Sequence, residues 1–182
     1  MNVRARVPLL GFAAFSGTGK TTLLEQLIPL LRQRGLRIAV VKHAHHAFDI
    51  DHPGKDSYRL RHAGADQTLV ASGQRWALIT ETHRDGDPVL SELLAQLDQE
   101  RLDLIVVEGF KHEAFPRIEL HRGALNKPLL YPDDSHIIAV ASDTPLPTSA
   151  TVVQLDLNDI PAIARFVSDF LEQHRGTEQN HE

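Results

Sequence analysis

The chain has no cysteine, one methionine and one tryptophan among its 182 residues, and only 5% of it is aromatic. Without cysteine there is no disulfide, no thiolate metal site and no cysteine nucleophile. Positive charge is not in excess: 19 Lys and Arg against 24 Asp and Glu leave a formal charge of −5. No global basic field therefore argues for a nucleic-acid partner. Long hydrophobic runs are also missing. Residues 1–6 are followed by too few apolar residues for a signal peptide, and no stretch approaches a membrane span. The expectation is a cytoplasmic protein without nucleic-acid or membrane partners. No repeat or low-complexity block interrupts it, and its length suits one domain with a substantial core.

What is present begins at Ala14-Phe15-Ser16-Gly17-Thr18-Gly19-Lys20-Thr21. The uniformly apolar run Val7-Pro8-Leu9-Leu10-Gly11-Phe12-Ala13 ahead of it fits a strand buried on both faces of a parallel sheet. Behind it, Leu23, Leu24, Leu27, Ile28, Leu30 and Leu31 recur at helical spacing. Strand, glycine-rich turn and helix together predict a phosphate-binding loop. Gly17 and Gly19 let successive N–H groups from Ser16 to Thr22 converge on one centre, and the helix adds its positive end. Lys20 supplies a mobile cation for the terminal phosphates, and the Thr21 hydroxyl can ligate Mg²⁺. The first position of the pattern, usually glycine, is Ala14. The competing reading, an ordinary turn with a solvated Lys20, leaves the Gly-Lys-Thr-Thr junction without a purpose.

Further along, Leu36–Val41 and Leu102–Val107 read as buried strands, and Ile137–Ala141 as another, with a last strand near 151–155. Helices are predicted from Asp56 to His62, from Pro88 onward, and from about Asn158 to Leu171. Pro29 should bend the first helix. Gln67–Ala71 and Arg75–Thr80 form a plausible hairpin, and Arg117–His121 alternates as a strand with one wet face. The pattern predicts a P-loop three-layer α/β fold with a mainly parallel sheet. The 66–80 pair and strand 117–121 do not alternate with helices and are expected to form an antiparallel extension, a natural dimer surface. Residues 1–175 are read as one domain carrying the 66–80 insertion, and 176–182 as a disordered tail.

Several constellations surround the loop. Glu108 ends a strand on the edge where parallel sheets place ligands, so it can hold Mg²⁺ opposite Thr21, orient a water or merely cap the strand. The run Lys42-His43-Ala44-His45-His46-Ala47-Phe48-Asp49-Ile50-Asp51-His52 suits a switch-like loop reaching metal or γ-phosphate through Asp49 or Asp51. A transition-metal site and a solvated polar loop are the other readings, and the histidines lack tight ligand spacing on one element. Lys55, Arg59 and Arg61 could bind a second anion or form surface pairs. No Asn-Lys-x-Asp element reads guanine, because Asn126-Lys127 is followed by Pro128. Asp143, at a strand end, could accept from the N1 and N2 donors of guanine or serve as a turn carboxylate.

The loop Phe15–Thr22, the segments Lys42–His46, Phe48–Asp51, Gly54-Lys55-Asp56-Ser57 and Ala63-Gly64-Ala65, and Glu108-Gly109-Phe110-Lys111 resemble the molybdopterin-guanine dinucleotide biosynthesis protein B (MobB) family. The resemblance spans residues 10 to about 143. It implies a homodimeric GTP-binding protein with weak GTPase activity, for which Lys20 and Glu108, with Mg²⁺, are the catalytic candidates the residues themselves offer. It also implies an adaptor role in molybdenum cofactor biosynthesis beside the guanylyltransferase MobA, which joins GMP to molybdopterin. Upstream molybdenum-insertion proteins and molybdopterin itself are further expected contacts. No catalytic glutamine or arginine finger is visible, which fits a slow intrinsic rate. The rivals are a P-loop small-molecule kinase, with Asp49 or Asp51 as base, and a metal-delivery GTPase built on the histidine loop.

Overall fold

The computed structural model describes residues 5–44 and 48–178. The chain divides into two compact units, residues 1–43 with 89–182, and residues 44–88.

The larger unit is built on six parallel strands: β1 (Leu9–Ala13), β2 (Ile38–Lys42), β5 (Leu104–Glu108), β6 (Arg117–His121), β7 (Ile137–Ser142) and β8 (Val153–Asp156), in the order β2-β5-β1-β6-β7-β8. Its helices are α1 (Lys20–Gln33), α3 (Leu90–Leu94) and α4 (Ile160–Glu178). Alternation along the strands divides the core in two. Leu10, Phe12, Leu104, Val106, Ile118 and Leu120 pack under α1 and α4. Leu9, Val41, Ile105 and Val107 face the other way, with Leu90 and Leu94 of α3. Pro29 sits inside α1, as the sequence requires. The helix after Pro88 is short, and α4 runs further than its apolar pattern suggests, through residues 176–178 of the segment read as a tail. Residues 179–182 lie outside the described residues.

One expectation is overturned. Strand 117–121 is not part of an antiparallel extension; β6 pairs in parallel with both β1 and β7. Nor is its polar face wet. The crossover to β7 is a loop, residues 122–136, carrying only a short 3-10 turn at Gly123–Leu125, and β6 holds this loop with every second side chain. Arg117 donates to Asp134 at 3.2 Å. Glu119 accepts from the Leu130 and Tyr131 amides at 2.8 and 2.9 Å, and His121 Nε2 lies 3.1 Å from the Lys127 carbonyl. Alternation signalled two different faces correctly, but the polar one is internal.

The smaller unit holds α2 (Asp56–His62) and the antiparallel pair β3 (Gln67–Ala71) and β4 (Trp76–Thr80), the predicted hairpin. Its organising side chain is Arg61. Nη2 donates to both carboxylate oxygens of Asp49 at 2.6 Å, and Nη1 donates to Glu81 at 2.9 Å. No described helix is long and apolar enough to cross a membrane.

Candidate functional site

The loop between β1 and α1 has the shape its sequence predicts. Gly17 and Gly19 have φ of +83° and +98°, the left-handed region where a side chain is costly. Thr18 is buried and folds the loop on itself, its hydroxyl donating to the Phe15 carbonyl at 2.8 Å. The first bond of α1 runs from the Leu23 amide to the Gly19 carbonyl, so the amides of Lys20, Thr21 and Thr22 have no acceptor within the helix. Gly19, at the N-cap, supplies no side-chain acceptor. The result is an open, positively polarised helix end with exposed Ser16, Thr21 and Thr22 around it. Ala14 is absent from the positive-φ positions, so a methyl group there is tolerated.

Glu108 closes the neighbouring strand β5, in register with Phe12 of β1 and Lys42 of β2. Its carboxylate is 8% exposed and lies 3.6 Å from the Lys42 ammonium, a partner the sequence reading did not assign. The chain then turns sharply through Gly109 and Phe110, both at positive φ. A Cβ on Gly109 would stand 2.7 Å from that of His43, so glycine is required twice over. Phe110, a bulky residue in a conformation rare for it, is held from behind: Arg117 donates to the carbonyls of Phe110 and Glu113. Arg117 is itself buried, with its guanidinium 4.3 Å over the Phe115 ring. Burial lowers its pKa while Asp134 opposes the shift.

Beside the incoming arm of the loop is a cavity of about 330 Å³, lined by Phe12, Phe15, Lys20, Lys111 and Asp133 among others. On the outgoing arm stands Arg122, which no motif marks. Its Nε donates to the Thr18 carbonyl at 3.3 Å and its Nη1 to Asp143 at 3.3 Å. The other Asp143 oxygen accepts from the Gly123 amide at 2.8 Å. Ser16 to Thr22, Glu108 and Asp143 are therefore gathered at one edge of the sheet. Asp49 and Asp51 belong to the second unit. Asp49 is engaged by Arg61, which holds its carboxyl below the usual range, and Asp51 Oδ2 is buried without a partner among the described residues. Of the two readings of Arg61, a contact for a second anion or an ion pair, the structure gives ion pairs with Asp49 and Glu81. His45 and His46 lie outside the described residues, and among the described residues no group of three or more His, Asp and Glu could hold a metal ion.

The sequence model of molybdopterin guanine dinucleotide synthesis protein B matches residues 9–143, from the first strand through Asp143. The chain belongs to the MobB family. It is 52% identical to the molybdopterin-guanine dinucleotide biosynthesis adapter protein of Escherichia coli K12, over 95% of this chain and 98% of that one. The adapter protein of the same name from Haemophilus influenzae is 46% identical, over 94% and 93%. Among solved structures, one of molybdopterin-guanine biosynthesis protein B superposes with a TM-score of 0.69 at 27% identity, covering 89% of this chain and 99% of that one. The parallel sheet with its helices and small antiparallel sheet is thus a MobB fold of the P-loop type.

Proposed function

We propose that this protein is a GTP-binding adaptor with weak GTPase activity that assists the attachment of GMP to molybdopterin in forming molybdopterin guanine dinucleotide. The observation that carries the reading is the open N-terminus of α1 at the end of a central strand, with Lys20 on the loop and Glu108 on the adjoining strand end. Backbone amides of the loop, those of Lys20, Thr21 and Thr22 foremost, bind the phosphates, and Lys20 neutralises the terminal ones. The Thr21 hydroxyl and Glu108 carboxylate are hard oxygen donors of the kind that hold Mg²⁺, which would offset phosphate charge. Glu108 also orients the attacking water. With few groups able to stabilise a transition state, turnover is slow and the nucleotide acts chiefly as a switch. The adapter names of the relatives support a partner role beside the guanylyltransferase MobA, with upstream molybdenum-insertion proteins and molybdopterin as further contacts.

Equilibrium binding of GTP in competition with ATP, on wild type and Lys20→Ala, tests this. Wild type should prefer GTP, and Lys20→Ala, folded by circular dichroism, should lose binding. Undiminished GTP affinity in a folded Lys20→Ala protein overturns the site. Glu108→Gln should keep nucleotide and lose Mg²⁺-dependent phosphate release. Phosphoryl transfer to an added acceptor would instead make the protein a kinase. Stoichiometric zinc binding that disappears in His45→Ala/His46→Ala would make it a metal carrier.

The same reading takes the protein as a cytoplasmic homodimer. Leu69 and Ala71 pair with Leu78 and Trp76 on one face of the β3–β4 hairpin, where Leu69, Trp76 and Leu78 are exposed and line a shallow apolar depression. A second copy of this face would cover it. Sedimentation at several concentrations should give a dimer that Trp76→Glu dissociates; a monomer at all concentrations rejects the assignment.

A further inference from the structure

We infer that Arg122 is the platform on which the base of the bound nucleotide stacks, and that Asp143 serves this site by positioning Arg122. The inference rests on the nucleotide reading above.

Arg122 follows β6 and Asp143 follows β7, on the same strand-end edge from which the phosphate loop leaves β1. The two ends are laced together. The Gly123 amide bonds Asp143, and His121 Nδ1 lies 3.3 Å from the Ser142 hydroxyl. The turns approach so closely that a Cβ on Gly123 would stand 2.5 Å from the Thr144 methyl. On this shelf the guanidinium of Arg122 bridges Thr18 of the loop and Asp143. Arginine donors lie in the guanidinium plane, so neither of these bonds occupies a face of the planar cation. Nη2 lies 3.7 Å from where a Gly19 Cβ would be, at the start of α1, and the side chain is 37% exposed.

A planar cation fixed along two edges, partly open to solvent and touching the outgoing arm of a phosphate loop, suits an aromatic ring attached to the phosphates. Arginine stacks on such rings through its face, with little regard for which base they belong to. Asp143 neutralises the cation and sets its plane. Each of its oxygens accepts a hydrogen bond, one from Arg122 and one from the Gly123 amide, which ties the guanidinium to the strand ends. The cavity beside Phe12, Phe15 and Lys111 flanks the opposite, incoming arm and is not needed for this contact.

Arg122→Ala separates stacking from loop shape when two probes are titrated, GTP and inorganic tripolyphosphate. Loss of one stacked base corresponds to about a tenfold or greater weakening. The expected result is that weakening for GTP, GDP and ATP alike, with tripolyphosphate affinity unchanged. Arg122→Lys, which keeps the charge but not the plane, should behave like Arg122→Ala, and Asp143→Asn should give a smaller loss confined to nucleotides. Equal loss of GTP and tripolyphosphate would mean that Arg122 only shapes the loop, and would overturn the inference. So would unchanged GTP affinity in folded Arg122→Ala and Arg122→Gln proteins. Failure of the wild-type protein to bind any nucleotide would reject the parent reading and this one with it, a result distinct from the other two.

Discussion

Strands β5 and β4 are each five residues long and mostly apolar, yet they put those side chains to opposite use. All five residues of β5 are buried, flanked by β2 and β1 and covered on both faces. In β4, Trp76 and Leu78 are exposed, and its partner β3 exposes Leu69 and Val70. The first strand is stabilised within its own unit. The second presents apolar area that its own unit does not cover. Apolar content alone therefore does not distinguish a buried strand from an exposed one; its neighbours do.

Changes made in parallel in the two regions can break or sharpen this contrast. The largest expected effect is on the buried arginine of the sheet. Arg117→Ala removes the cation that joins Asp134 to the Phe110 and Glu113 carbonyls, and should cost about 3 kcal/mol or more, read from the denaturant midpoint. A loss as small as that of an ordinary surface pair would mean that the 109–113 turn is held by something else. Next, Ile105→Ala in β5 should lose about 2–5 kcal/mol through an unfilled cavity. Trp76→Ala should change the unfolding free energy of a dilute, monomeric sample by no more than about 0.5 kcal/mol. Comparable losses would erase the distinction between the strands.

The smallest effect lies in the response to acid, where two carboxylates oppose each other. Asp49 is held below its ordinary value of 3.8 by the hydrogen bonds from Arg61. Its contribution to stability is present above 3.8 and is lost as pH falls through its lower folded value. Glu119 is pushed above its ordinary value of 4.5 by burial, despite its two amide bonds. It therefore costs stability above its raised folded value, and that cost disappears as pH falls below 4.5. Hydrogen exchange followed from neutral pH to below 3.8 should show amides of residues 49–81 losing protection while those of Leu130 and Tyr131 keep it. Asp49→Asn should abolish the acid-dependent part of the first change. Simultaneous loss in both places would sink the assignment.

The phosphate loop was legible because every requirement is local: a buried strand, two glycines, a lysine and an apolar helix within one short stretch. Glu108 was legible as a strand end, but its Lys42 neighbour was not, because β2 and β5 become adjacent only in the sheet. The alternation of Arg117, Glu119 and His121 revealed two unlike faces, but not the loop that covers the polar one. A polar strand face looks the same in sequence whether water or backbone amides satisfy it. Arg122 escaped notice for the same reason. A single arginine after a strand carries no pattern, and both its contacts are with chain segments remote in sequence.

The place of β1 between β5 and β6 has a consequence for the order of events during synthesis. The hairpin β3–β4 pairs residues close in sequence and can close on its own within microseconds. The phosphate loop emerges from the ribosome before the strands that flank β1, and Asp143 comes later still. A growing chain that stops short of β5 holds all the letters of the motif and lacks both strands that flank β1. The sheet that shapes the loop is thus completed late in the life of the nascent chain, after the residues of the loop itself have been made.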